Sequence, residues 1–158
     1  MEITPHQLKI LKAEICPYCL SETKIVDEAF IYGKTYKGRS IYCCVNYPKC
    51  DAYVGSHEDG LPLGRLADKR LRGFKNSAHR YFDKIWQEGL KDRSELYSDL
   101  SIYLKIPPDI THIGMFQEHT CKRVIYWAVN LYKKLKVDKV KNNQMNKEKD
   151  KLLNNLGK

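Results

Sequence analysis

Cysteine is the residue type with the most chemistry to offer in this chain, and five of its six cysteines fall between positions 16 and 50. Cys16-Pro-Tyr-Cys19 is a Cys-x-x-Cys turn, the kind that presents two thiolates to one ion. The second half-site has three candidates, Cys43, Cys44 and Cys50, after a stretch of about 24 residues. Adjacent residues on a strand point to opposite faces, so Cys43 and Cys44 do not both reach one metal. Two thiolate pairs held at the ends of short strands make a tetrahedral zinc site with no open position for water. The expected cofactor is one structural Zn²⁺. Spacing leaves Cys43 and Cys44 as rivals, His57 as a substitute ligand, and Cys121 as a spare thiol.

Hydrolytic chemistry has weaker candidates. Asp83, His57, His79, His112 and His119 would be the residues of a metal-dependent nuclease with a second ion. No His-Glu-x-x-His helix, nucleophile elbow, phosphate loop or paired acidic site accompanies them. His79 and Asp83 stand one helical turn apart and pair with each other. The sequence assigns no catalytic residue.

The formal charge of +9 points to a polyanionic partner, but it is unevenly placed. Nine lysines lie between Lys133 and Lys158 against Asp138, Glu148 and Asp150, so most of the basicity belongs to the C-terminal segment. No run approaches the roughly 18 apolar residues of a membrane helix, and the N-terminus has no signal-peptide pattern. A cytoplasmic protein with no membrane partner is expected. In a reducing compartment the cysteines are metal ligands rather than disulfides.

The elements that must position these residues fall into two parts. Residues 1–15 form a short helix or arm, with Pro5 near its start. Residues 16–57 form the zinc ribbon: a strand over 23–30, a Gly-punctuated turn, a strand over 40–43, and a short strand over 52–54. At Gly60-Leu-Pro-Leu-Gly64 the period changes from two to 3.6. Helices over about 65–88, 94–105 and 117–136 then share a core in a helical unit spanning 64–136, and 137–158 reads as a flexible basic tail or a frayed helical extension, solvated rather than packed. The fold class is α+β, a small zinc ribbon followed by a three-helix unit.

Cys44-Val-Asn-Tyr-Pro-Lys-Cys50, preceded by Cys16-Pro-Tyr-Cys19 and a hairpin, resembles the C-terminal zinc ribbons of type IA topoisomerases. That resemblance implies Cys16, Cys19, Cys44 and Cys50 as the ligands. A wider set runs from residue 16 to about 125: Cys16-Pro-Tyr-Cys19, Ile31-Tyr-Gly33, Asp51 to His57, Pro62 to Ala67, His79, Phe82-Asp83, Trp86 and His112 to Phe116. It resembles a bacterial and phage family named for containing a zinc finger. The resemblance implies the zinc, the fold boundaries and a bacterial or phage-infected cytosol, and it implies no activity.

Zinc ribbons expose strands whose aromatic residues stack on unpaired bases while cations meet phosphates. The residues expected to contact nucleic acid, single strands above all, are Tyr36, Arg39, Tyr47 and Lys49 in the ribbon, with Arg65, Lys69, Arg72 and Arg80 as a cationic stripe on the first long helix. The alternative is a zinc-stiffened module for a protein partner, anchored by Trp86, Trp127 and His112 to Phe116. Neither sequence specificity nor an oligomeric state follows.

Overall fold

A computed structural model describes residues 3–156. The first two residues of the expected arm and the last two of the expected tail lie outside them. Helix α1 (Pro5–Leu11) begins where Thr4 and Gln7 satisfy each other's backbone N–H groups, with proline at the first helical position. The strands β1 (Thr23–Asp27), β2 (Ser40–Cys44) and β3 (Tyr53–Gly55) form an antiparallel sheet in sequence order.

The first strand is shorter than its apolar run suggests. Asp27 accepts a hydrogen bond from Phe30 N (2.9 Å) and caps a one-turn helix, α2 (Glu28–Tyr32), which Gly33 ends at φ +73°. An aspartate three residues before an orphan N–H and a glycine free to adopt positive φ outweigh the strand preference of Phe30 and Ile31. β1 and β2 are thus joined by a helix and a loop rather than by a tight hairpin.

Register assigns the sheet its two faces. Lys24, Cys43 and Tyr53 lie side by side across the three strands, and so do Ile25, Tyr42 and Val54 in the next row. Since alternate residues face opposite ways, Cys43 and Tyr53 share one face while Tyr42 and Cys44 share the other. The second face packs into a small core of Ala13, Cys16, Cys44, Ala52 and Leu66.

The helix expected from residue 65 begins later. Tyr53 and Ala67 exchange backbone hydrogen bonds of 3.1 Å in each direction, so 65–67 runs extended beside β3. Only then does Asp68 cap α3 (Lys69–Gln87) through Leu71 N. Leu66 belongs to the ribbon core and Ala67 to the helical core, which makes this segment the seam between them. Helices α4 (Arg93–Leu104) and α5 (Glu118–Leu156) complete the helical unit, with two 3₁₀ turns between them at 108–110 and 113–115. Phe82, Ile85, Leu96, Leu100, Ile113, Val124 and Ala128 are sealed from solvent at its centre.

Residues 137–156 take the helical form, continuing α5 as a solvated extension. Nothing between Glu118 and Leu156 is glycine or proline, and the Lys, Glu, Gln, Met and Leu there are good helix formers. Propensity alone extends α5 about 30 Å past its last core contact near Leu135, with every side chain exposed.

At the seam the backbone comes too close for a side chain. A Cβ on Gly64 would stand 2.5 Å from the carbonyl oxygen of Gly114. Gly64→Ala should lower stability by about 1–3 kcal/mol, the cost of overpacking. Gly73→Ala, mid-helix with nothing within 4 Å of the new methyl, should instead raise it by about 0.5–1 kcal/mol. Thermal melts of the two variants move in opposite directions.

Candidate metal centre and aromatic surface

The Cys16 and Cys50 sulfurs are 3.6 Å apart, those of Cys19 and Cys44 are 3.3 Å apart, and all four lie within 4.8 Å of one another. Zinc–sulfur bonds of about 2.3 Å in a tetrahedron require sulfurs about 3.8 Å apart, so the four converge on a site of the right size. The chain holds one zinc there. Two further donors, both from Asn46, complete the cage. Asn46 N points at Cys44 Sγ (3.4 Å), and Asn46 Nδ2 reaches Cys19 Sγ (3.7 Å) and Ser21 Oγ (2.9 Å). Hydrogen bonds from Ser21 draw the Cys19 thiol down to about 6, while burial pushes Cys44 and Cys50 up. A bound cation deprotonates all of them, with the N–H···S bonds sharing the resulting charge.

The neighbouring candidates are separated from the ion. Cys43 is buried on the opposite face of β2, and His57 is exposed in the turn beyond β3, with its N–H given to Leu61 O. Cys121 is buried in the helical core. His79 Nδ1 lies 3.6 Å from Asp83 Oδ2, and Asp83 Oδ1 accepts from Trp86 Nε1 (2.9 Å), a chain contained within α3. His112 and His119 are exposed and outside the cysteine cluster.

The face of the sheet turned away from zinc carries five aromatic rings in a row. Phe30 meets Tyr47 at 5.8 Å between ring centres, Tyr47 meets Tyr53 at 6.3 Å, Tyr53 meets Tyr32 at 6.1 Å, and Tyr32 meets Tyr36 at 5.8 Å. Neighbouring rings are tilted or edge-to-face, the arrangement favoured by their quadrupoles. Tyr36 is 64% exposed, with Phe30 and Tyr32 near half. Cations attend the row: Lys24 over Phe30 at 4.6 Å, Lys34 over Tyr36 at 4.8 Å, and Arg72 over Tyr53 at 3.8 Å.

Each ring has an identifiable support. Tyr47 projects from the Cys44–Cys50 turn that zinc closes, Tyr53 sits in β3, and Phe30 and Tyr32 belong to α2. Tyr36 depends on Glu28, whose carboxylate accepts the N–H groups of Tyr36 (2.6 Å), Lys37 (2.8 Å) and Gly38 (3.2 Å). The N–H groups of Lys37, Tyr36 and Gly38 hold that carboxyl below its ordinary value of 4.5. Its contribution to stability is complete above pH 4.5 and disappears as pH falls through the lower folded value. Melts of Glu28→Gln and the unaltered protein should differ at neutral pH and converge in acid.

Of the residues expected to meet nucleic acid, Tyr36 and Tyr47 lie in this row, and Lys49 is exposed beside Cys50. Arg39 is paired with Glu58 at 2.9 Å. The stripe does not form as a stripe. Arg65 precedes the helix and is half-buried, with no hydrogen-bond partner for its Nε among the described residues. Arg72 donates to Asp51 O (2.7 Å) and Ala67 O (2.5 Å) and so clamps ribbon to helix. Lys69 and Arg80 remain exposed. Phe30, which strand propensity alone assigns to β1, joins the row from α2; Asp27 and Gly33, bracketing it at capping distance, are the sequence signal for that helix.

The anchors expected for a protein partner are largely internal. Trp127 stacks near Phe82 and Tyr103 at 6.4 and 5.9 Å, and Ile113 and Phe116 are buried. Trp86 packs against the same core.

A family model described as a zinc-finger-containing domain matches residues 12–130. The match starts four residues before Cys16 and stops within α5, short of its exposed extension. No curated protein and no solved structure matches the chain, so the likeness to type IA topoisomerase ribbons rests on the cysteine motif alone. Among the described residues no helix is long and apolar enough to cross a membrane.

Proposed function

The chain belongs to the zinc-finger-containing domain family that this model describes, and from that premise we propose that it is a non-catalytic binder of single-stranded nucleic acid. The observation that carries the reading is the row of five rings with cations beside it. Unpaired bases stack on aromatic faces irrespective of sequence, and lysines beside the rings neutralise the phosphates that join those bases. A duplex keeps its bases stacked inward and offers no faces to such a surface.

Zinc acts in this reading as a fastener. Four thiolates fill its coordination sphere, so it has no position for a reacting water, and its contribution is to hold Tyr47 and β3 in place. Lys24, Lys34 and Lys49 supply phosphate contacts around the rings, and Lys69 and Arg80 extend the cationic surface along α3. The lysine-rich end of α5 adds sequence-independent attraction that salt screens.

The test is a competition. A labelled oligothymidine bound to the zinc-loaded protein should be displaced by unlabelled single strands and resist displacement by the matching duplex. Equal displacement by both would remove the stacking surface from the account and leave only charge.

A further inference from the structure

We infer that the groove between Tyr32, Tyr53 and the first turns of α3 is the seat for one phosphate of the bound strand, with Lys75 and Asn76 as its donors. The inference rests on the single-strand reading above and names where the strand's backbone enters. The groove measures about 320 Å³ and is lined by Tyr32, Tyr53, Arg72, Lys75 and Asn76, with β3 and Ala67 behind them. Two of these rings are the middle members of the aromatic row, so a base stacked there places its phosphate at the groove.

What the groove has and lacks is a matter of charge. Lys75 is 8% exposed, and its ammonium donates to Gly114 O at 2.6 Å. Among the described residues no carboxylate stands within 4.0 Å of it, and two of its three protons have no partner. Burial pulls the ammonium down to about 8, the nearby Cys121 sulfur opposing that shift and Arg65 adding to it. The buried Nε of Arg65 has no hydrogen-bond partner among the described residues. Natural proteins pair buried cations, because an unpaired one has lost its hydration and received nothing in exchange. Arg72, although held by Asp51 and Tyr53, brings a second positive charge to the groove wall. Asn76 is exposed at the mouth, and its side chain has no hydrogen bond among the described residues. Two cations, an amide and two aromatic rings around one groove are the chemistry of a nucleotide unit: rings for the base, donors for the phosphate.

The experiment measures oligothymidine affinity against salt for the full chain, for Lys75→Met and for Lys75→Gln. Methionine keeps the unbranched stem without the charge, and glutamine also retains a donor for Gly114. Each phosphate neutralised on a single strand contributes about 0.7 to the slope of log K against log salt, so both variants should lose about that much. Lys139→Met, on the exposed extension of α5, provides the comparison for a general loss of charge. An unchanged slope in both Lys75 variants, with melts showing them folded, overturns the phosphate seat. A second arm separates the two ideas: thermal melts in inorganic phosphate against chloride at matched ionic strength. If the unaltered protein binds no oligothymidine, the single-strand reading fails. The seat then stands if phosphate raises the Tm of the unaltered protein and of neither Lys75 variant, and it falls if the three respond alike.

Discussion

Replacing Cys44 with serine unfolds the three-stranded sheet and leaves the helical unit standing. The ribbon core holds five buried residues, two of them cysteines of the site, and so little apolar area cannot offset the entropy of ordering the strands. Zinc supplies the difference, since structural sites of this type bind with about 10–16 kcal/mol near neutral pH. The helical core is separate and larger, built on α3, α4 and α5 without any ligand of the metal. Cys44→Ser, or removal of zinc by a strong chelator, should abolish the NMR signals of Tyr42, Tyr53 and Val54 in the folded sheet while helical circular dichroism persists. Cys43→Ser is the matched control. Its sulfur is as buried as that of Cys44 but faces the other way, so it should retain one zinc and cost only about 1–3 kcal/mol for a hydroxyl in an apolar site. A metal-free protein with an intact sheet would contradict the assignment.

Removing Tyr32 and Tyr36 together should nearly eliminate binding of a single strand. Base–aromatic stacking contributes about 1–3 kcal/mol per base, so the pair amounts to about 2–6 kcal/mol, roughly 30-fold to 20,000-fold in Kd. Both are exposed and neither belongs to a folding core, so alanine at both positions leaves the protein folded. The salt slope should stay where it was, because the lost groups carry no charge. Burial and the neighbouring Tyr53 push the Tyr32 hydroxyl up to about 12, so it stays protonated across the working range of pH. Replacing Tyr36 with phenylalanine should retain affinity, which distinguishes a stacking face from a hydrogen-bonding hydroxyl. Tyr53 is a poorer probe, since Arg72 rests on its ring and clamps ribbon to helix.

The cysteine ligands were legible because zinc imposes both residue type and spacing, and those leave few arrangements open. Cys43 and Cys44 illustrate the limit. Pattern showed that they point apart, but which of them faces the ion depends on the register of β2 against β1 and β3, which is set by tertiary pairing. The helical faces were legible for a similar reason, a period sustained over several turns. What sequence concealed was local competition. Asp27 and Gly33 turn an apolar run into α2, and a backbone bridge from Tyr53 to Ala67 delays α3 past Arg65.

The basic stripe failed as a stripe for a different reason. Helical projection assigns a direction to a side chain and says nothing of what waits there, and at Arg72 it is the Asp51 carbonyl and the Tyr53 ring. Equally, the row of five rings could not be read from spacing. Its members come from α2, the loop that Glu28 holds, the zinc turn and β3, four segments that only the folded ribbon brings within about 6 Å of their neighbours.

The most direct test of the whole account is the aromatic NMR spectrum of the zinc-loaded chain during titration with oligothymidine at low salt. The ring protons of Phe30, Tyr32, Tyr36 and Tyr53 should move upfield as bases stack on them, while Trp127 in the helical core stays in place. Saturating oligothymidine that leaves those four rings unshifted, or that shifts only signals from α5, would contradict it.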